Sequence, residues 1–377
     1  MTTLPTDATT DGSAPAGSTT MRARYKHHAG VGRELDAARS MPLGSTGKAG
    51  VCGPNDVLIK VHKAGGCGTD RHIWEWDKWS AGRVPVGIVT GHEFVGTVAA
   101  VGSAVEHFEV GQRVSGEGHI SSMTDFNALT GNAHIARDMQ IIGVDRDGCF
   151  ADYLMMPQSN VWMVHDDIPD DHAAVFDPLG NAVHTVMSAG VSAKSVLITG
   201  AGIIGLMAVT VAKAAGATRV FVTDVDPKRL KLARELGADE AFDVREGDGW
   251  IDEIDGATPG DGVDVLLEMS GAPKGIDAGF RALRSGGTAA LLGIPSEPPA
   301  FDLTNHIVFK GATVIGVNGR RMWQTWFQAE QFLLSGRIDL DPIITHVLPF
   351  ADYARAFELM QSGEGIKVVL DINGSTR

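Results

Sequence analysis

The sequence predicts an α/β protein with two domains, a β-rich domain followed by a doubly wound parallel sheet. The chain has 377 residues, which is long enough for two hydrophobic cores. From about Val57 to Val114 it consists of short β-branched runs closed by glycines. From Ser195 onward, short apolar strands alternate with segments of helical length, as in a parallel sheet.

The N-terminus, MTTLPTDATTDGSAPAGSTT, is rich in Thr, Ser, Ala, Gly and Pro. It has no apolar run, and the first basic residue is Arg22, so neither a signal peptide nor a transit peptide is expected. Such a composition cannot bury enough apolar surface to become ordered. We therefore predict a disordered tail over residues 1–20.

The two domains differ in their strand patterns. The runs DVLIKVHKAGG, FVGTVAAVG and GQRVSG are typical of short barrel strands, and the pattern changes near Pro178. Beyond it, SVLITG and RVFVTD read as strands, each followed by a helical segment, and GVDVLLEMSG, GGTAALLGI and GATVIGV continue the alternation. From about Met322 the helix and strand need not belong to that sheet. We place the domains at residues 21–180 and 181–321, with a C-terminal segment over residues 322–377.

Charge and cysteine content restrict the classes of partner. The net charge of −14 argues against nucleic acid and anionic membranes, because both favour a basic surface. No apolar run approaches the roughly 18–20 residues of a membrane span. The three cysteines, Cys52, Cys67 and Cys149, are too few for a disulfide framework, which favours a reducing compartment such as the cytoplasm.

Two segments of the first domain carry potential metal ligands. GGCGTDRHIWEWDKW contains Cys67 and Asp70, and GHEFVG contains His92 and Glu93. A thiolate, an imidazole and a carboxylate suit a catalytic zinc, which keeps one position open for a substrate oxygen and lowers the pKa of a bound alcohol. For Asp70 we favour the role of a turn residue or a residue that supports a ligand.

The same helical segment offers a route for a proton. A threonine hydroxyl can both donate and accept a hydrogen bond, and histidine is the side chain whose charge ordinarily changes near neutral pH, so Thr69 and His72 together could carry a proton from a substrate hydroxyl to water. Trp74, Trp76 and Trp79 either wall a substrate pocket or pack at a domain edge.

The second domain carries a dinucleotide-binding pattern. In GAGIIG, Gly200 permits a tight turn, Gly202 permits close approach of a pyrophosphate, and Gly205 permits close packing of helix and strand. Asp224 ends the second strand, where its carboxylate can accept both ribose hydroxyls and repel a 2′-phosphate, which favours NAD over NADP. Arg229 either reaches the adenosine end of the cofactor or is a solvated helix charge.

With these motifs the sequence resembles the zinc-dependent medium-chain dehydrogenase/reductase superfamily, and within it the L-threonine 3-dehydrogenase family. The resemblance runs from about Val57 to Leu370 and includes CGTDRHIWEWDKWS, VSGEGHI, FDPLGNAVHT, LEMSGAP, LGIPS, DLDPIITH and MQSGEGIKVVL. It implies a GroES-like catalytic domain interrupted by a Rossmann domain, with the C-terminal segment returning to the first domain. It also implies a homo-oligomer that oxidises L-threonine to 2-amino-3-oxobutanoate with NAD. The resemblance indicates a tetramer, and a dimer is the alternative.

The resemblance assigns roles to individual residues. Zinc ligands are Cys67, His92 and Glu93, and the charge-relay pair is Thr69 and His72. Two further residues are assigned to the catalytic site, Asp177 as an acidic residue that supports proton relay and His119 as a neighbour of the substrate pocket. Besides the three glycines of the turn, the coenzyme positions are Ile204, Asp224, Arg229, Leu292, Gly293, Ile294, Val317 and Asn318.

One segment departs from the family. The family usually has four cysteines that bind a structural zinc, and this chain has Ser122, Asp125, Ala128 and Ala136 in roughly those places. We therefore expect one zinc per chain and no structural zinc. NAHIARDMQ could form a short helix that packs this lobe without metal.

Three functions remain open from the sequence. The first is an NAD- and zinc-dependent dehydrogenase acting on a small-molecule secondary alcohol, with L-threonine as the leading substrate. The second keeps the chemistry and changes the substrate to a polyol, an aminocyclitol or another secondary alcohol, as the altered lobe suggests. The third is a non-catalytic NAD-binding protein with the same fold.

Overall fold

The computed structural model describes residues 19–259 and 261–373. Residues 1–18 of the predicted tail lie outside this range, while Thr20, the last residue of that prediction, already begins a strand. The chain divides into two compact units, one formed by the residues up to Asp177 together with those from Ile344, the other by Pro178–Ile343. No helix within the described ranges is long and apolar enough to cross a bilayer.

The first unit is built on a seven-stranded sheet. Its long central strand, Asp56–Gly65, pairs with three antiparallel neighbours, Glu93–Val101, Tyr153–Pro157 and Lys367–Asp371. Apolar side chains on this sheet and on the C-terminal helix form one core that includes Phe94, Phe150 and Phe357. The remaining strands of the sheet are Arg113–Gly116, Val161–Met163 and Ile344–Pro349.

Smaller elements surround this sheet. Two-stranded ladders pair Thr20–Tyr25 with Glu34–Ser40 and His119–Ile120 with Gln140–Ile141. The α-helices are Gly68–Glu75, Lys78–Arg83, Phe126–Leu129, Asp170–Ala173 and Tyr353–Ser362, and Phe176–Ala189 crosses the boundary between the units. Short 3₁₀ helices occupy Ala133–Ile135, Gln158–Asn160 and Phe350–Asp352.

The second unit has a six-stranded sheet in which every neighbouring pair is parallel. Its order is Glu240–Asp243, Arg219–Asp224, Ser195–Thr199, Val263–Glu268, Leu283–Leu291 and Thr313–Gly316. Its α-helices are Ile203–Ala214, Pro227–Glu235, Trp250–Ala257, Pro273–Ala282 and Gln324–Leu334, with a 3₁₀ turn at Val244–Glu246 and a π turn at Thr304–Val308. The strand order reverses between Ser195–Thr199 and Val263–Glu268, which creates a crevice at their carboxyl ends. The predicted α/β fold class is confirmed.

The unit boundaries differ from the expected ones. The first boundary follows Asp177, three residues before the predicted 180, and the return to the first unit begins at Ile344, well after the predicted 322. The helix Gln324–Leu334 precedes this return and belongs to the second unit. Arg337 then donates a hydrogen bond to the carbonyl of Ala214, at 3.4 Å, in the same unit.

Candidate active site

Cys67 lies at the start of helix Gly68–Glu75, where it is the N-cap residue. Its Sγ accepts a hydrogen bond from the backbone N–H of Thr69 at 3.3 Å, and the Asp70 carboxylate accepts one from the backbone N–H of Cys67 at 3.3 Å. This reciprocal pair is a capping box formed with a thiol in place of a hydroxyl. The thiol is therefore held at the positive end of the helix dipole.

Strand register brings His92 to Cys67 although 25 residues separate them. Gly65, at the end of one strand, lies opposite Glu93, at the start of the antiparallel neighbour. Each ligand candidate lies just beyond this paired end, and Cys67 Sγ is 3.0 Å from His92 Nε2. Gly91 permits the approach, because its φ is +91° and a Cβ there would lie 2.6 Å from the ring of Phe150.

Two carboxylates complete a buried cluster. Potential ligand atoms of His92, Glu93 and Asp177 all lie within 4.8 Å of one another, and all three residues are buried. A second, overlapping group joins Cys67, Asp70 and His92. His92 belongs to both groups, so the structure places Cys67 and Glu93, the other two zinc ligands expected from the sequence, each beside His92, and Asp177 lies in the group that contains Glu93.

The cluster carries surplus negative charge, which favours the binding of a cation. Burial acts to lower the pKa of His92, but the Cys67 thiolate, Asp70 and Asp177 outweigh it and raise that pKa well above its usual value. Burial also raises the pKa of Glu93, although Lys367 opposes the shift. Sulfur, nitrogen and oxygen donors with surplus negative charge are what a zinc ion requires.

Lys367 is a functional candidate that sequence reasoning missed. Its ammonium group forms a fully buried ion pair with Glu93 Oε2 and also donates to the carbonyl of Gly66 at 2.8 Å. Among the described residues, Glu93 Oε1 has no hydrogen-bond partner and is buried. An orphaned carboxylate oxygen beside His92 and Asp177 fits a metal ion. The available signal was a lysine within the apolar run IKVVL, because a buried lysine needs an anionic partner.

Arg33 supports the cluster through hydrogen bonds to Asp70. Sequence reasoning missed this residue as well. Its buried guanidinium donates to the Asp70 carbonyl at 2.9 Å and lies 3.3 Å from the Asp70 carboxylate. It also donates to the hydroxyl of Tyr353. Because Asp70 itself caps Cys67, Arg33 fixes the helix start on which the thiol depends.

Thr69 and His72 lie on the same helix, three residues apart, and therefore on one face. His72 Nδ1 is 2.7 Å from Asp77 Oδ2, and the imidazole is about half exposed, with 46% of its side chain accessible. The ring therefore has an oriented nitrogen and access to water. Asp77, which also caps the next helix through Ser80, is a partner that the sequence did not indicate.

The three tryptophans are not equivalent. Trp74 stacks on Phe357 with ring centroids 4.9 Å apart, and the face of Trp76 lies 4.7 Å from the ammonium of Lys26. These contacts favour packing over a pocket wall for both rings. Trp79 is exposed and meets the ring of His72 edge-on, with centroids 6.2 Å apart.

His119 is buried at the start of the short strand His119–Ile120. Its backbone N–H donates to Glu117 Oε1 at 3.0 Å, and its Nδ1 lies 3.5 Å from the same oxygen. Neither ligand group of the first unit includes His119. The structure therefore places it in an acidic buried surrounding of its own.

The lobe of residues 121–138 is held by hydrogen bonds. Asp138 accepts from the backbone N–H of Ser122 at 3.0 Å, and Asp125 caps helix Phe126–Leu129 by accepting from the backbone N–H of Asn127 at 2.8 Å. Asn127 in turn donates to the carbonyl of Ile135 at 3.0 Å. Ala128 and Ala136, at two of the expected cysteine positions, are buried. The short helix expected in NAHIARDMQ is the 3₁₀ turn Ala133–Ile135.

In the second unit, the glycine turn has the geometry expected of a phosphate site. Gly200 has φ +89°, and a Cβ there would lie 2.9 Å from Ser270. A Cβ on Gly205 would lie 1.9 Å from the carbonyl oxygen of Gly200, so helix and turn require glycine at this contact. At Gly202, the helix N-cap, no atom of the described residues lies within 4 Å of such a Cβ. Ile204 follows in the first helical turn, whose free N–H groups suit a phosphate.

The remaining coenzyme candidates lie at the carboxyl ends of the strands. Asp224 accepts hydrogen bonds from the backbone N–H groups of Ala201, at 2.6 Å, and Asp226, at 2.8 Å. Arg229 lies 3.7 Å from Asp226, so its charge is directed to that carboxylate. After the fifth and sixth strands come the other candidates, namely Leu292, Gly293, the exposed Ile294, the buried Val317 and the exposed Asn318.

Comparison with known proteins agrees with this geometry. The family model "Alcohol dehydrogenase GroES-like domain" matches residues 53–166, and the model "Zinc-binding dehydrogenase" matches residues 204–335. An L-threonine 3-dehydrogenase of Alteromonas mediterranea is 46% identical over 319 residues, which is 85% of this chain and 93% of that protein. The chain belongs to the zinc-binding dehydrogenase family.

Solved structures place this zinc-binding dehydrogenase in the same fold. Galactitol-1-phosphate dehydrogenase from Escherichia coli aligns with a TM-score of 0.83 at 26% identity, covering 93% of this chain and all of that one. A dehydrogenase from Sinorhizobium meliloti bound to NADP aligns with a TM-score of 0.83 at 28% identity, covering 94% and 100%. The predicted superfamily, the enzymatic class and the GroES-like and Rossmann domains are confirmed, and the protein is a zinc- and NAD(P)-dependent dehydrogenase of alcohols.

Proposed function

We propose that this zinc-binding dehydrogenase oxidises the secondary hydroxyl of L-threonine, giving 2-amino-3-oxobutanoate and NADH. The observation that supports this choice of substrate is the 46% identity, over 85% of the chain, to an L-threonine 3-dehydrogenase. Such identity extends well beyond the ligand and glycine motifs that all alcohol dehydrogenases of the family share. The hydride goes from the substrate carbon to NAD, and the hydroxyl proton goes to water.

Four side chains of the first unit form the metal site in this proposal. Cys67, His92 and Glu93 hold one zinc ion, and Asp177 keeps the surrounding charge negative without serving as a firm ligand. When bound, zinc supplies Lewis acidity that lowers the pKa of the substrate hydroxyl. Lys367 holds one oxygen of Glu93 and leaves the other free for the metal.

Thr69 and His72 remove the proton. The Thr69 hydroxyl can accept a proton from the substrate while it donates its own onward. The exposed ring of His72 passes the proton to water, and Asp77 orients the ring through its contact with Nδ1. His119 belongs to the substrate side of the site in this proposal.

The favoured cofactor is NAD. Asp224 ends the second strand of the parallel sheet, where a carboxylate faces the ribose hydroxyls and repels a 2′-phosphate. Its backbone hydrogen bonds hold it at the glycine turn. The glycine turn takes the pyrophosphate, and the loops around Leu292–Ile294 and Val317–Asn318 line the nicotinamide side.

We further propose one zinc per chain, a cytoplasmic location and a homo-oligomer, with a tetramer favoured over a dimer. Support for a single zinc comes from the lobe. Asp125, Asn127 and Asp138 of the lobe are used in local hydrogen bonds, and no residue of 121–138 belongs to a ligand group in the described part of the chain.

A substrate panel read by NADH absorbance tests the function. L-threonine should give the highest kcat/KM, with NAD preferred over NADP, and metal counting should give about one zinc per chain. The altered lobe favours a second candidate, another secondary alcohol such as a polyol or aminocyclitol. Robust turnover of a sugar or cyclic alcohol without turnover of threonine would establish the second candidate in place of the first.

A further inference from the structure

Glu268 lies at the crevice of the parallel sheet, in a position that neither the glycine turn nor the metal cluster explains. It is the last residue of strand Val263–Glu268 and pairs in register with Thr199, the last residue of the adjacent strand. These strands are neighbours in the sheet and not in the sequence, which defines the switch point where a dinucleotide binds. Glu268 is therefore directly below the cofactor crevice of this unit.

The Glu268 carboxylate organises the loops at this point. Oε1 accepts hydrogen bonds from the backbone N–H of Ser270 at 3.0 Å, the Ser270 hydroxyl at 2.5 Å, the backbone N–H of Gly271 at 3.1 Å and the Thr199 hydroxyl at 3.2 Å. Its backbone carbonyl accepts from Leu292 and Gly293 at 2.9 and 3.0 Å. One residue thus connects the glycine-turn strand with two loops on the nicotinamide side.

The backbone around this loop is packed so closely that three positions have no room for a side chain. A Cβ on Gly271 would lie 2.6 Å from the carbonyl oxygen of Ile294, and one on Gly293 would lie 2.4 Å from Glu268 Oε2. A Cβ on Gly200 would lie 2.9 Å from Ser270. The carboxylate is therefore held at a fixed position relative to the crevice.

The negative charge of Glu268 is buried with neutral partners only. Glu268 is 1% exposed, and all its hydrogen-bond donors are backbone N–H groups or hydroxyls. Within residues 19–259 and 261–373 it has no ion pair with a lysine, arginine or histidine. Neutral donors stabilise a carboxylate but leave its net charge in place, and that charge acts over a longer range inside protein than in water.

We propose that Glu268 is a positioning residue whose uncompensated charge makes the cofactor site favour the oxidised nicotinamide ring over the reduced one. The inference rests on the proposed use of NAD. The two cofactor forms differ by one positive charge on the ring and share the same adenosine and pyrophosphate. A fixed negative charge near the ring therefore strengthens binding of NAD⁺ and leaves NADH nearly unaffected.

The test measures Kd for NAD⁺ and NADH with the zinc-loaded enzyme, by NADH fluorescence titration and by competition with NAD⁺. Glu268→Gln keeps the accepting oxygen and removes the charge. The ratio Kd(NAD⁺)/Kd(NADH) should rise about tenfold, the order expected for one unit charge in the protein interior. Kd for NADH should stay within about twofold, because the neutral ring does not sense the charge.

Two matched variants separate charge from architecture. Glu268→Asp keeps the charge and disturbs the geometry, so its ratio should stay near that of the wild type. Ser270→Ala removes a donor that offsets part of the charge, so its ratio should move in the opposite direction to that of Glu268→Gln. Ser270 is exposed, so this variant tests the charge even where Glu268→Gln does not fold.

Several results would overturn the inference. If Glu268→Gln weakened the binding of NAD⁺ and of NADH equally, the role of Glu268 would be structural only. An unchanged ratio in Ser270→Ala, or a shift in the same direction as Glu268→Gln, would remove the electrostatic argument. Wild-type enzyme that binds neither form would overturn the cofactor proposal together with this inference, whereas tight wild-type binding with unchanged ratios overturns the inference alone.

Discussion

Two regions of the first unit were expected from the sequence to correspond to zinc-binding regions of the family, and they differ in how their polar groups are used. In the metal cluster, Cys67, His92, Glu93 and Asp177 converge in a buried space, and an oxygen of Glu93 stays unpaired among the described residues. In the lobe of residues 121–138, the side chains of Asp125, Asn127 and Asp138 cap a short helix and close turns. The presence of potential ligand residues therefore does not by itself identify a metal site. What marks a metal site is donors that converge and remain uncompensated.

The largest expected effect comes from removing the thiol of the cluster. Cys67→Ser should lose bound zinc and lower kcat/KM by more than about a hundredfold, because changing residues that merely support a ligand already costs ~10–100-fold. Zinc is counted by mass spectrometry and turnover by NADH absorbance. Cys52→Ser is the matched control, since Cys52 lies outside both ligand groups of the first unit and should keep both properties. A Cys67→Ser enzyme with full zinc and full turnover would contradict the ligand assignment.

The second effect tests the buried partner of Glu93. Lys367→Met leaves a buried carboxylate without its cation, which should destabilise the metal-free protein by about 3 kcal/mol. Added zinc should recover part of this loss, because the metal supplies the missing positive charge. Thermal unfolding with and without zinc measures both quantities.

Lys63→Met provides the comparison for Lys367→Met. Lys63 pairs with Asp171 at 2.6 Å, but Asp171 is 31% exposed, so the pair is partly solvated. Its loss should cost about 1 kcal/mol or less and should not depend on zinc. Equal zinc dependence of both variants would show that Lys367 has no special relation to the metal site.

The sequence predicts a site best where the residues of that site lie close together along the chain. The glycine turn and Asp224 belong to one strand–turn–helix–strand segment, so their spacing alone indicates their geometry. Cys67 and His92 could be paired because each lies in a recognisable motif, although their 3.0 Å contact depends on a strand register that the sequence does not display.

The residues that were missed contact the site from distant parts of the chain. Lys367 is 274 residues from Glu93, and Arg33 is 37 residues before Asp70. Neither has a spacing pattern that could reveal its partner, since only tertiary folding brings them together. The observed return at Ile344, later than the predicted 322, is likewise a property of the tertiary contacts, which no local sequence pattern displays.

Metal removal should distinguish the two regions through a smaller effect than mutation, namely a change in hydrogen exchange that is confined to the metal cluster. Chelation should speed amide hydrogen exchange around Cys67 and around His92, because unbalanced charge favours local opening there. Exchange in residues 121–138 should change little, since local hydrogen bonds hold this lobe. Hydrogen exchange followed by mass spectrometry on zinc-loaded and chelated enzyme gives the comparison. Strong deprotection of the lobe on chelation would mean that it depends on metal after all.

The smallest expected effect is in the lobe itself. Asp125 occupies one of the expected cysteine positions and caps helix Phe126–Leu129. Asp125→Ala removes this cap and should cost about 0.5–1 kcal/mol of stability. Zinc content and the KM for substrate should stay at their wild-type values, because the lobe carboxylate serves the helix and not a metal. Loss of zinc from this variant would erase the distinction between the two regions, since it would make Asp125 a ligand in the place of a family cysteine.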